Sequence, residues 1–204
     1  MTATAGRAVP AADGAQPAPA GAQPAPPGAQ PAPPGAAPVP LRFRTGSAGE
    51  TQALGAALAG ALHPGDVVLL AGDLGTGKTT LTQGVARGLG VDGQVTSPTF
   101  TLVRSHPCRP GGPVRTLLHA DLYRLDRLAE IADLAIGELV EDGAVAVVEW
   151  GDVAEPVLGD DALTVLLSAG PDDEDERSVT IGVPGSWAGR RPELATALAR
   201  WAAP

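Results

Sequence analysis

A single cysteine, Cys108, stands in the 204 residues, which rules out an internal disulfide and fits a reducing cytoplasm. Basic charge is also short: 14 Lys and Arg face 23 Asp and Glu, a net charge of −9. An acidic surface is a poor stand-alone binder of nucleic acid, whose phosphates need basic contacts, so any such role is expected to run through a partner. No apolar run approaches the roughly 18 residues that a membrane span needs. The amino-terminal segment lacks the basic start and apolar core of a signal peptide. A soluble, cytoplasmic protein is expected.

Proline is concentrated at one end. Residues 1–40 hold 11 of the 21 prolines, and a seven-residue unit recurs there as GAQPAPA (14–20), GAQPAPP (21–27) and GAQPAPP (28–34). These units have no apolar face to stack, so they do not read as a solenoid. Such sequence cannot bury enough surface to offset its ordering entropy, and a disordered Pro/Ala/Gly-rich tail is expected over 1–40. Its one Arg and one Asp cancel, so the net charge sits on residues 41–204, the length of one ordinary domain.

Within 41–204, strand-like runs fall at 41–44, 66–71, 99–105, 114–120, 144–150, 163–168 and 177–183, with helical patterns at 48–62, 78–89, 127–140 and 190–202. DVVLLA (66–71) is continuously apolar, as a strand covered on both faces should be. Alternating strands and helices predict an α/β fold: a mixed, mainly parallel sheet with flanking helices. The last two strands have only the acidic loop GPDDEDE (170–176) between them, which predicts an antiparallel edge near the C-terminus and a solvated turn.

GDLGTGKT (72–79) matches G-x-x-x-x-G-K-[ST], with a buried strand before it and a helix after it. Gly72 opens this loop, and Gly75 and Gly77, around Thr76, let successive N–H groups turn inward where a side chain would collide with phosphate. Lys78 carries a flexible ammonium suited to the β- and γ-phosphates, and the Thr79 hydroxyl suits Mg²⁺. The positive end of the following helix adds to the site. Neither the Asn-Lys-x-Asp nor the Asp-x-x-Gly of a GTPase is present, so ATP is the expected nucleotide.

Three further segments belong at the same end of such a sheet. SPTFTLV (97–103) offers the hydroxyls of Ser97, Thr99 and Thr101, each equally readable as a polar strand entry. HADLYRL (119–125) and AVAVVEWGD (144–152) place Asp121 and Glu149 at the carboxyl ends of apolar strands, where open α/β sheets bind ligands. Both carboxylates are expected near solvent and ligand rather than in the core. Glu149 suits a magnesium site. Trp150 reads as a site wall or as a core plug, and His119, inside an apolar strand, reads as structural.

Taken in order, GDLGTGKTTL, SPTFTLV, HADLYRL and VVEW resemble the TsaE family, the ATPase subunit of the bacterial machinery that makes threonylcarbamoyladenosine in tRNA. SAGETQALGAALA (47–59) looks like that family's first helix, and the likeness covers about 41–185. It implies that Thr79 and Glu149 hold Mg²⁺, that Gly75 to Thr80 wrap the phosphates, and that Asp121 is required for hydrolysis. It also implies that Trp150 shapes the nucleotide site, that Arg177 reaches it from a late strand, and that Thr51 lies near it. The implied partners are TsaB and TsaD, of which TsaD transfers the threonylcarbamoyl group; ATP hydrolysis would reset that complex between turnovers, with tRNA met only through it. Residues 1–40 and 105–113 depart from the family pattern.

Two other readings compete. A small P-loop kinase would need an arginine-bearing lid, for which Arg104, Arg109 and Arg115 around a loop are the candidates. A non-hydrolytic ATP-dependent assembly switch would need binding alone, against which the carboxylates Asp121 and Glu149 argue.

Overall fold

Four apolar runs become the centre of a seven-stranded sheet, the first three in sequence buried on both faces and the last on one. In the computed structural model, which describes residues 39–203 apart from 99, 126, 142, 160 and 171–174, these are β2 (Val67–Ala71), β4 (Thr116–Asp121), β5 (Ala144–Glu149) and β6 (Leu163–Ala169). They lie parallel in the order β6-β2-β5-β4. Antiparallel strands complete both sides: β7 (Arg177–Gly182) and then β1 (Leu41–Thr45) beyond β6, and β3 (Val103–Pro107) beyond β4. The expected mixed sheet is present. The antiparallel β6–β7 pair is as predicted, but β1, not β7, is the outermost strand on that side.

Helices cover both faces. α1 (Ala48–Ala59), α2 (Lys78–Gly88) and α6 (Arg191–Ala197) pack on one apolar cluster with Val68, Leu70, Val145 and Val147. The short helices α3 (Leu128–Ala132), α4 (Ile136–Val140) and α5 (Glu155–Leu158) cover the opposite cluster of Leu69, Leu118, Ala146 and Val148. Residues that alternate along a strand face opposite layers, so Leu117, His119 and Asp121 share one face of β4, the face that α2 covers.

α1 and α2 touch backbone to backbone. A Cβ built on Gly84 would lie 2.1 Å from the Gln52 carbonyl oxygen, and one on Gly55 would lie 2.3 Å from that of Leu81. At the start of α1, Ser47 accepts from the Glu50 amide at 3.2 Å while the Glu50 carboxylate accepts from Gly46 N–H at 2.7 Å, a reciprocal cap. The outer side of β1 is met by the chain's own end: Phe43 bridges Ala202, and Ala203 N–H donates to Arg42 O at 3.0 Å.

Two predicted elements are corrected. The strand expected from residue 99 begins at Val103, because the Thr101 and Leu102 amides both bond Pro98 O and Leu102 takes φ 60°, closing a turn. The helix expected over 127–140 is two helices, broken at Ala135, which sits in the left-handed region at φ 49°. The pattern over 190–202 gives α6 and then a 3₁₀ turn at 199–201. Of the proline-rich segment, residues 1–38 lie outside the described residues, as do 171–174 of the acidic loop and Thr99.

Candidate nucleotide site

The loop between β2 and α2 is built by two backbone constraints. Gly72, at φ 129°, passes so close to β6 that a Cβ there would meet Leu167 O at 2.1 Å. Gly77, at φ 100°, is the left-handed residue before the first turn of α2, a conformation that side chains resist. Thr76 is buried and its hydroxyl donates to Asp73 O at 2.9 Å, which closes the loop on itself.

Lys78 opens α2 and turns back under the loop. Its ammonium donates to Gly72 O at 2.6 Å and Asp73 O at 2.7 Å and lies 3.7 Å from the centre of the Trp150 ring. Burial pushes this ammonium below its ordinary range, and Glu149 and Asp121 pull it the other way. The side chain is thus held by weakly basic carbonyls and an aromatic face, with two carboxylates nearby.

Those carboxylates are adjacent because β4 and β5 run parallel with Asp121 opposite Glu149. Glu149 accepts from the Thr79 hydroxyl at 2.8 Å on Oε2, and its Oε1 lies 2.8 Å from His119 Nε2. Asp121 accepts from Ser97 Oγ on Oδ2 and from the Tyr123 amide at 3.1 Å on Oδ1. Both acids are buried, at 4% and 3% exposure, so the expectation that they stand near solvent is corrected. They can be buried because each oxygen has a donor. His119, read as structural, is fully buried and yet belongs to the site through Glu149.

These residues enclose an open cavity of about 420 Å³ whose lining includes Gly75, Thr80, Ser97, Tyr123 and Trp150. Trp150 resolves its two readings by serving both. It packs partly against the Leu69 and Val148 cluster and, at φ 59°, turns its ring toward Lys78 and Tyr123. Arg177 reaches the loop from β7, donating from Nε to Thr76 O at 3.1 Å and from a terminal nitrogen to Gly75 O at 3.5 Å. Thr51 sits behind Gly77, whose added Cβ would meet its methyl at 3.8 Å, while its hydroxyl engages Thr45 Oγ1 at 2.7 Å and Ser47 O at 3.2 Å. Thr101 bends back to Pro98 O at 3.4 Å.

The hard oxygen donors best placed to hold a metal are the Thr79 hydroxyl and Glu149. No group of three or more His, Cys, Asp or Glu suited to a metal occurs among the described residues. Arg109 and Arg115 do not bracket this cavity. Their backbones bond Leu89 and Gly143, at the opposite end of the parallel strands, so the loop between them cannot serve as a lid.

Residues 45–179 match the family model described as threonylcarbamoyl adenosine biosynthesis protein TsaE. The tRNA threonylcarbamoyladenosine biosynthesis protein TsaE of Streptomyces coelicolor is 45% identical, over 66% of this chain and 92% of that protein. Its Bacillus subtilis counterpart is 39% identical, over 69% and 85%. Among solved structures, Bacillus subtilis YdiB superposes with a TM-score of 0.62 at 33% identity, covering 77% of this chain and 95% of that one. The fold is accordingly a P-loop NTPase-like α/β sheet, and the chain belongs to the TsaE family.

Proposed function

We propose that this chain binds ATP with Mg²⁺ in the cavity above α2 and hydrolyses it as a subunit of the tRNA threonylcarbamoyladenosine machinery. In that reading it works with TsaB and TsaD in the cytoplasm, resets their complex between turnovers, and meets tRNA only through them. The observation that carries the reading is the alignment of Thr79 and Glu149 at 2.8 Å, with Asp121 opposite Glu149 on the next strand, around one glycine-lined loop.

The residues fit the groups they would hold. Mg²⁺ takes hard oxygen donors and needs only one or two protein ligands beside phosphate and water, which the hydroxyl of Thr79 and the carboxylate of Glu149 supply. Bound there, the ion would neutralise charge on the phosphoryl oxygens. Lys78 exchanges two loop carbonyls for phosphate oxygens, a stronger partner for an ammonium. Arg177 holds the Thr76 carbonyl, and because a trans peptide directs its C=O and N–H oppositely, the Gly77 amide points away from Arg177. Asp121, fixed by Ser97 and Tyr123, is the group suited to orient a water at the γ-phosphate.

The test is ATP hydrolysis by the full chain, alone and with TsaB and TsaD, with and without Mg²⁺. Hydrolysis that TsaB and TsaD accelerate is expected; its absence in every mixture sinks the ATPase reading. Lys78→Ala should weaken ATP binding about 10- to 100-fold, the loss of one charge-assisted hydrogen bond set. Thermal stability should hold, because the two carbonyls it releases belong to half-buried Gly72 and exposed Asp73 and can be solvated. Equilibrium titration and a melting curve on the variant check both halves.

A further inference from the structure

His119 is 0% exposed, in the middle of β4, and its Nε2 lies 2.8 Å from Glu149 Oε1. A carboxylate only accepts, so the bonded nitrogen is the one carrying hydrogen. The other nitrogen, Nδ1, has no partner among the described residues. A histidine kept only for packing has no reason to be placed with a bare buried nitrogen, which an apolar side chain would avoid. What the imidazole does achieve is to fix one oxygen of Glu149. The other oxygen is then directed at Thr79 Oγ1, 2.8 Å away. The contact crosses adjacent strands: His119 pairs in register with Val147, and Glu149 is the next residue of β5 on the same face.

The geometry points to His119 as a positioning residue that holds Glu149 in the orientation needed to receive a divalent cation beside Thr79. This rests on the Mg²⁺ reading above. His119 touches neither nucleotide nor metal; it acts through Glu149. Its role needs only the hydrogen that Nε2 donates to Glu149. Donors that orient metal-binding carboxylates typically contribute about 10- to 100-fold to metal affinity.

The experiment measures how much Mg²⁺ is needed for half of the metal-dependent gain in ATP affinity, using the full chain and equilibrium binding. His119→Leu and His119→Met, two donor-free side chains of similar bulk, should each raise that concentration about 10- to 100-fold while leaving metal-free ATP affinity unchanged. His119→Gln, whose amide carries an N–H at the reach of Nε2, should return it to within about threefold of the parent. Using two donor-free variants keeps the test available if one of them fails to fold. A folded Leu or Met variant with the parent's Mg²⁺ requirement overturns the positioning role. So does a Gln variant as impaired as the other two, since the ring's shape and not its donor would then matter. If the parent's own ATP affinity is indifferent to Mg²⁺, the metal reading itself falls, and this inference with it.

Discussion

Asp121→Asn is expected to leave ATP affinity within about threefold of the parent while single-turnover hydrolysis falls by about 10²- to 10⁴-fold, the usual scale for a lost catalytic carboxylate. The substitution removes charge while both described hydrogen bonds can persist. An amide oxygen can still accept from the Tyr123 amide, and an amide nitrogen can donate to Ser97 Oγ, which rotates to accept. The buried site therefore stays satisfied and the variant should melt with the parent. Glu149→Gln should fail differently. It keeps its contacts with Thr79 and His119 through the same exchange of donors, but the charge suited to a hard cation is gone. Its ATP affinity should lose its dependence on Mg²⁺. Binding titrations with and without Mg²⁺, paired with single-turnover hydrolysis, separate the two. Parent-like hydrolysis in both variants would move the chemistry elsewhere, and the opposite pattern of losses would exchange the two roles.

The second large effect concerns stability and comes from a residue with no side chain. Gly84→Ala should destabilise the protein by about 2 kcal/mol or more, roughly 4–8 °C in melting temperature for a domain of this size. Alanine would ordinarily favour a helix over glycine by about 1 kcal/mol. Here the added methyl would stand 2.1 Å from the Gln52 carbonyl oxygen, so α1 and α2 must part. Gly137 in α4 provides the control, since a Cβ there meets nothing within 4 Å. Gly137→Ala should stabilise by up to about 1 kcal/mol. The same chemical change with opposite signs in two helices is the expected result, and a stabilising Gly84→Ala would show that the helices are not held in backbone contact. Because α2 begins at Lys78, parting the helices should also weaken ATP binding.

What sequence reading could reach here depended on distance along the chain. The loop 72–79 is local: strand, glycines, lysine and helix follow one another, and all stand where the pattern placed them. The carboxylates were legible as strand ends, but not as partners, because the Asp121–Glu149 register joins residues far apart in sequence. The same holds for His119, whose meaning lies in Glu149 across a neighbouring strand and not in its own apolar surroundings. Local overrides account for the displaced elements. Thr99 to Thr101 favour a strand by composition, yet two amides captured by Pro98 O turn the chain first. Ala135 carries no breaker signature, so its left-handed backbone could not be foreseen from a residue that ordinarily favours helix. The close approach of α1 and α2 left glycines at 55, 84 and 88 as its trace.

The two sides of the sheet bear on how this protein behaves when crowded. An outer strand with free backbone groups invites a strand from another molecule, which is the first step of ordered aggregation. On one side the invitation is answered internally, since Ala202 and Ala203 already engage Phe43 and Arg42 of β1. On the other, β3 is only five residues long, carries an exposed Arg104 and ends at Pro107, which has no N–H to extend a ladder. Among the described residues, the seven-stranded sheet is thus met by residues 202 and 203 at one margin and interrupted by charge and proline at the other, so strand exchange is disfavoured at both.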